Sequence, residues 1–159
     1  MARRTYLVLL FCAAAITVTT TAAFAVISLD FSSEADPPFI EQRVARSLLA
    51  LNLRFRRLPK PPADSPSRQD IDRGAHLYEQ QCSFCHGSRD GNPAVLAKSF
   101  SPRPPQFAIQ GVTNEPTINA YVIRHGIRWT AMPAFPTLSD DDAWRIARYL
   151  ETFNHTRTP

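Results

Sequence analysis

The stretch QQCSFCHGSRDGNP, residues 80–93, decides how this chain is read. It holds Cys82 and Cys85, two of only three cysteines, with two residues between them and His86 directly behind. Three chemistries use such a spacing. A zinc site needs four ligands, typically from a second Cys/His pair, and the remaining histidines, His76, His125 and His155, are scattered. A dithiol redox site wants a βαβ context, whereas the flanks here read as a helix and a proline-rich loop. The third chemistry is covalent haem attachment. Two thiols on one helical turn add to the two vinyl groups of a haem, giving haem c, and the adjacent histidine becomes the proximal ligand of the iron. Cys82, Cys85 and His86 fit that pattern.

A haem iron has a second axial position. The chain has two methionines, Met1 and Met132, and Met132 stands in RHGIRWTAMPAF, residues 124–135. A thioether followed by proline, on a loop about 45 residues past the haem turn, suits the distal face. Met opposite His favours reduced iron and raises the potential. The ordinary fate of a lone methionine is the core, and His125 is the competing distal ligand.

The charge is uneven. Residues 1–63 hold eight Lys/Arg against four Asp/Glu, while residues 64–159 hold ten of each. A neutral C-terminal domain argues against nucleic acid, and the basic N-terminal third points to a membrane. Residues 6–29 contain no charged side chain, and about 20 apolar residues cross a hydrocarbon core as a helix. Arg3 and Arg4 before the run, with Asp30, Glu34 and Asp36 after it, place the N-terminus inside and the rest outside. The rival is a cleaved signal peptide with Ala23-Phe24-Ala25 at its cut, although Val26, Ile27 and Leu29 continue the run. Phe11 spoils a lipoprotein-type site at Cys12, which reads as a small apolar residue.

Beyond the run, Asp36 is a helix cap, with Pro37 and Pro38 in the first turn. Ile40, Val44, Leu48, Leu51, Phe55 and Leu58 recur at spacings of three and four, with Arg43, Arg46, Arg54 and Arg57 mainly opposite. The pattern predicts an amphipathic helix over 37–58. Its stripe either packs on the domain or meets a membrane surface or partner subunit. The boundaries follow: 1–29 anchor or signal peptide, 30–58 juxtamembrane helix, 59–66 proline-rich linker, 67–159 the haem domain.

Within 67–159, Ser67 with Asp70 starts a helix that runs to Gln81. Thr113 or Asn114 caps a second, ending at Gly126, and Ser139 with Asp142 starts a third. Trp144, Ile146, Ala147, Tyr149, Leu150 and Phe153 form its apolar face, and no alternating strand pattern is present.

These ordered elements give the chain its resemblance. DIDRGAHLYEQQCSFCHG resembles the first helix and attachment turn of class I, monohaem cytochrome c domains. IRHGIRWTAMPAF resembles their distal methionine loop, and LSDDDAWRIARYLETF their C-terminal helix. The whole chain resembles the small membrane-anchored cytochromes c of bacteria. The resemblance implies an all-α cytochrome c fold with one covalent haem c, behind a transmembrane and an amphipathic helix. It implies that Gly74 and Tyr78 meet Ile146 and Tyr149 where the first and last helices cross. It also implies that a carbonyl of the SPRPPQF loop, at Pro104 or Pro105, orients His86. Arg103, Arg128 and Trp129 are candidates for the propionates. The lysine-rich face of the mitochondrial proteins is missing, so their partner surface does not carry over.

With both axial sites filled, the function expected is one-electron transfer rather than enzymatic chemistry, on the outer face of the cytoplasmic membrane in a respiratory chain. The partners expected are a dehydrogenase, a quinol-oxidising complex or an oxidase, together with membrane lipid and without nucleic acid. The alternatives are a dedicated subunit of one such complex, a soluble periplasmic shuttle after signal cleavage, and a haem peroxidase with an open sixth site.

Overall fold

The computed structural model describes residues 2–28, 30, 32–33 and 35–155. Met1, Leu29, Phe31, Glu34, residues 156–159 and the side chains of Ala2 and His155 lie outside the described residues. Every regular element among the described residues is helical. The α-helices are α1 (Ala2–Ile27), α2 (Phe39–Arg54), α3 (Arg68–Gln81), α4 (Ser83–His86), α5 (Phe107–Gln110), α6 (Pro116–His125) and α7 (Asp140–His155), with a 3₁₀ turn at Val95–Ser99. The chain divides into two compact units, Met1–Ser32 and Ser33–Pro159.

The first unit is α1. Its side chains are exposed along its length, and it is long and apolar enough to cross a membrane. The same features serve a retained anchor or a signal sequence. Its threonines do not spoil it. Thr17, Thr20 and Thr21 donate their hydroxyls to the carbonyls of Ala13, Ile16 and Thr17 at 2.8–2.9 Å. Each polar group is thus satisfied within the helix, as a hydrocarbon environment demands.

The second unit is built on α3, α6 and α7. Helix α3 starts where the sequence places it. The Ser67 hydroxyl accepts from the Asp70 N–H at 3.1 Å, and the Asp70 carboxylate accepts from the Ser67 N–H at 3.1 Å, a complete capping box. Helix α7 starts on the Ser139 hydroxyl, which accepts from the Asp142 N–H at 3.0 Å. Asp140, Asp141 and Asp142 then sit at its positive end.

Two expected caps are corrected. Helix α6 has Glu115 before it and no side-chain cap, so neither Thr113 nor Asn114 caps it. The Glu115 carbonyl instead accepts from the Ile118 and Asn119 N–H groups at 2.9 and 3.0 Å, and Pro116 with its fixed φ begins the first turn. Helix α2 begins at Phe39 and ends at Arg54, without a side-chain cap. Asp36 instead pairs with Arg103 at 3.2 Å.

The core lies where α7 meets α3 and α6. Tyr78, Ile146, Ala147, Tyr149, Leu150 and Phe153 are buried in it, each large apolar chain contributing roughly 1.5–3 kcal/mol. The rings of Tyr78, Tyr149 and Phe153 lie 5.4–5.5 Å apart, tilted or edge-on. At Gly74 the two helices touch. A Cβ there would fall on the Arg145 carbonyl and stand 3.0 Å from the Tyr149 Cβ. Tyr149 is thus the expected partner, but the closest one is the main chain of Arg145 rather than Ile146.

A charge network ties the starts of α3 and α7 together. The Arg145 guanidinium lies 2.9 Å from both Asp70 and Asp142, and Arg73 lies 3.4 Å from Asp142. The Ser67 hydroxyl and then Arg145 hold the Asp70 carboxyl down at about 2. A carboxyl depressed on folding stabilises above its unfolded pKa, and that contribution is lost as pH falls through the folded value. Arg145→Met is therefore expected to melt below the parent domain at neutral pH, with the gap closing between about pH 4 and 2. Melting curves across that range check it; a constant gap would mean that Arg145 acts through packing alone.

Candidate haem site

Cys82 ends α3, and Ser83–His86 form a single further turn, α4. The His86 N–H donates to the Cys82 carbonyl at 2.9 Å, so both cysteines and the histidine are held on one tight turn. Gly87 closes it at φ +78°, and a Cβ there would stand 2.8 Å from the Asn92 carbonyl and 2.9 Å from the Gln106 Oε1. The Tyr78 hydroxyl, buried in the core, donates to the Gly87 carbonyl at 2.7 Å.

Cys82 is buried and Cys85 half-buried. Burial, then the neighbouring Cys85, pushes the Cys82 thiol up to about 12; burial also raises Cys85. A dithiol exchange site needs a stabilised thiolate. This environment does the opposite, so the geometry speaks against that chemistry.

His86 Nδ1 lies 2.9 Å from the Pro105 carbonyl. A carbonyl only accepts, so Nδ1 carries the proton and Nε2 keeps its lone pair for a ligand. Desolvation lowers the His86 pKa against the opposing effect of the Pro105 bond, which keeps the ring neutral. The Phe107 ring stacks on it at 4.6 Å and 10°. Pro105, rather than Pro104, is therefore the orienting residue.

Cys82, His86 and Met132 line the same cavity, whose walls include Phe107, Ile123, Ile146 and Leu150. Cys85 does not line it. Met132 sits on a loop folded against Gly126: the Ile127 N–H donates to the Met132 carbonyl at 3.1 Å, and a Cβ on Gly126 would stand 2.8 Å from that oxygen. His125 is exposed and packs on Tyr121 at 4.4 Å, outside the cavity, so the competing ligand is not brought to the site. Arg103 is engaged with Asp36, and Arg128 lies over the exposed Trp129 ring at 5.9 Å.

Two residues that the sequence reading missed hold this arrangement. The Gln106 amide donates to the carbonyls of Cys85 at 3.0 Å and Pro104 at 2.9 Å, and accepts from the Ala94 N–H at 2.8 Å. It thus joins the cysteine turn to the loop that presents Pro105. Arg124 binds Asp140 at 2.9 Å and donates to the carbonyls of Phe135 at 2.9 Å, Pro136 at 3.1 Å and Leu138, fixing the chain just beyond Met132. Neither has a sequence signal, because a long polar side chain in a loop does not announce its partners. At about 1 kcal/mol per hydrogen bond, Gln106→Leu is expected to destabilise the haem-loaded protein by about 3 kcal/mol in denaturant unfolding. Gln106→Glu, which keeps the acceptor but turns a carboxylate oxygen against the Cys85 and Pro104 carbonyls, is expected to destabilise at least as much.

An all-helical unit, an apolar cavity, a Cys-x-x-Cys-His turn with an oriented imidazole and a methionine on the cavity wall together define a monohaem c-type cytochrome domain. Residues 69–150 match the family model described as cytochrome c oxidase, cbb3-type, subunit III, and the chain belongs to that family. It is an electron-transfer domain carrying covalently bound haem c, and the donor set and apolar walls fit that group. Among solved structures, a chain of the reducing HAO-like protein complex of Kuenenia stuttgartiensis is 26% identical, with a TM-score of 0.48, covering 64% of this chain and 53% of that one. The present chain spans about half the length of that relative. No curated protein matches it.

Proposed function

We propose that this protein is a one-electron carrier tethered outside the cytoplasmic membrane, with Cys82 and Cys85 as attachment residues and His86 and Met132 as axial ligands. The observation that carries the reading is His86, with Nδ1 committed to Pro105 and the ring lining the same apolar cavity as Cys82 and Met132. Haem supplies a one-electron iron couple. The chain does the rest. Pro105 and Phe107 hold the imidazole in one tautomer and one orientation. Phe107, Ile123, Ile146 and Leu150 keep water from the site, which disfavours the more highly charged state. With two protein ligands no coordination position is left for a substrate, so the domain transfers electrons and makes no bonds.

In this reading residues 1–29 are the retained anchor, 30–58 the juxtamembrane helix, 59–66 the linker and 67–159 the haem domain. Its partners are a dehydrogenase or quinol-oxidising complex on one side and an oxidase on the other in a respiratory chain. Tethering raises encounter with membrane partners without any new contact. A second reading, a dedicated subunit of one oxidase complex, is favoured by the family match.

The test separates membranes from periplasm in cells that mature c-type cytochromes, with haem staining of denatured protein. A full-length stained band in the membrane is expected. A shorter periplasmic band would replace the anchored carrier by a diffusing one, and an unstained protein would remove the haem assignment. Carbon monoxide binding by the reduced protein would remove the two-ligand assignment in favour of a peroxidase-like site.

A further inference from the structure

Helix α2 carries an apolar face that no described residue of its own unit covers. Ile40, Val44, Leu48 and Leu51, continued by Phe55, share one side of it and stand more than half exposed. The half-buried Gln42, Leu49 and Leu53 lie on the other side, and no residue of α2 is buried. The stripe therefore does not pack on the domain. A 16-residue helix with no buried residue gains little from packing and is marginal in water, so its exposed stripe calls for a cover from outside that unit.

The charges say which. Residues 39–60 hold Arg43, Arg46, Arg54, Arg56, Arg57 and Lys60 against the single acid Glu41. Arg43 and Arg54 border the apolar stripe, and long arginine stems reach along apolar surface with the charge held at the polar level. Arg43 lies over the Phe39 ring at 5.2 Å, and neither it nor Arg54 has an ion pair among the described residues; an apolar stripe edged by such cations matches a headgroup layer of negative charge. Only residues 28–38 separate α2 from the membrane-length helix α1.

We propose that α2 lies in the headgroup region of an anionic phospholipid surface, stripe inward and arginines on the phosphates. The placement beside a bilayer rests on α1 being retained; the chemistry of α2 does not. The segment just before α2 is tied to the domain: Ser101 donates to the Ala35 carbonyl at 3.0 Å, and Arg103 pairs with Asp36. Those contacts reach the loop that ends in Pro105, so a lipid-bound α2 would hold that side of the haem domain toward the membrane.

The test begins with the intact mass of the purified haem-loaded chain, which reports whether α1 is present. The full-length chain is then placed in nanodiscs of phosphatidylcholine, with or without phosphatidylglycerol, and amide exchange is followed across residues 42–54. Exchange about tenfold slower in the phosphatidylglycerol discs is expected, and the quadruple variant Arg43→Gln, Arg46→Gln, Arg54→Gln, Arg57→Gln should lose that difference. Equal exchange in the two lipids overturns the proposal, as does protection that grows only with the number of chains per disc, the sign of a second copy. If the mass shows α1 removed, the tethered reading fails separately. The shorter chain is then floated with vesicles of the same two lipids: flotation confined to phosphatidylglycerol supports the α2 proposal, and its absence overturns it.

Discussion

Met132→His is expected to lower the midpoint potential by a few tenths of a volt, within the range of about 0.8 V that axial ligands span. Thioether sulfur favours the reduced iron, whereas a second imidazole, a stronger σ-donor, favours the oxidised one. The geometry makes this exchange feasible. Met132 is only partly buried, and its loop is held by the Ile127–Met132 hydrogen bond and by Thr130, whose hydroxyl accepts from the Met132 N–H at 3.1 Å. None of these contacts uses the side chain. Redox titration of the matured variant checks the shift. Met132→Leu is the companion. It keeps the apolar volume, is expected to cost under about 1.5 kcal/mol, and should let the reduced protein bind carbon monoxide. An unchanged potential in the first variant, with no carbon monoxide binding in the second, would return Met132 to the role of a core methionine.

Gly74→Leu is expected to cost the domain about 3 kcal/mol or more, the upper end of what overpacking a tight core costs. The added atoms meet main chain, the carbonyl of Arg145, which cannot rotate away as a side-chain end would. Relief requires α3 and α7 to separate, and that separation opens the contacts of Tyr78 with Tyr149 and Phe153. Tyr78 also holds the Gly87 carbonyl at the end of the haem turn, so the damage should reach the site. Two measurements check this: the denaturation midpoint of the loaded domain, and the yield of covalently loaded protein. Gly74→Ala, which gains roughly 0.5–1 kcal/mol of helix propensity, is expected to remain destabilised because its one methyl already meets the same carbonyl. A Gly74→Leu variant as stable as the parent would show that the crossing is not close in solution.

Much of the candidate site could be read along the chain, because covalent attachment is local chemistry. Two thiols and an imidazole must share one turn, so Cys82, Cys85 and His86 are neighbours in sequence as well as in space. The same holds for the capping box of Ser67 and Asp70, and for the stripe of α7, where hydrogen bonds and periodicity act within a few residues. The predicted caps at Asp36, Thr113 and Asn114 failed for a related reason. Many residue types are compatible with a helix start, and which side chain lies beside the first turn depends on its other contacts, as Asp36 is taken up by Arg103.

The rest depended on pairs of residues far apart in the chain. Pro105 rather than Pro104 faces His86 because Gln106 reaches both Cys85 and Ala94. His125 falls outside the cavity because α6 turns it toward Tyr121, while Met132 falls inside because the chain beyond it is bound by Arg124. The amphipathic pattern of α2 was legible as a pattern, but periodicity states only that a face must be covered. Whether the domain covers it depends on the orientation of the whole helix, which long-range packing sets. Here the structure leaves that face exposed.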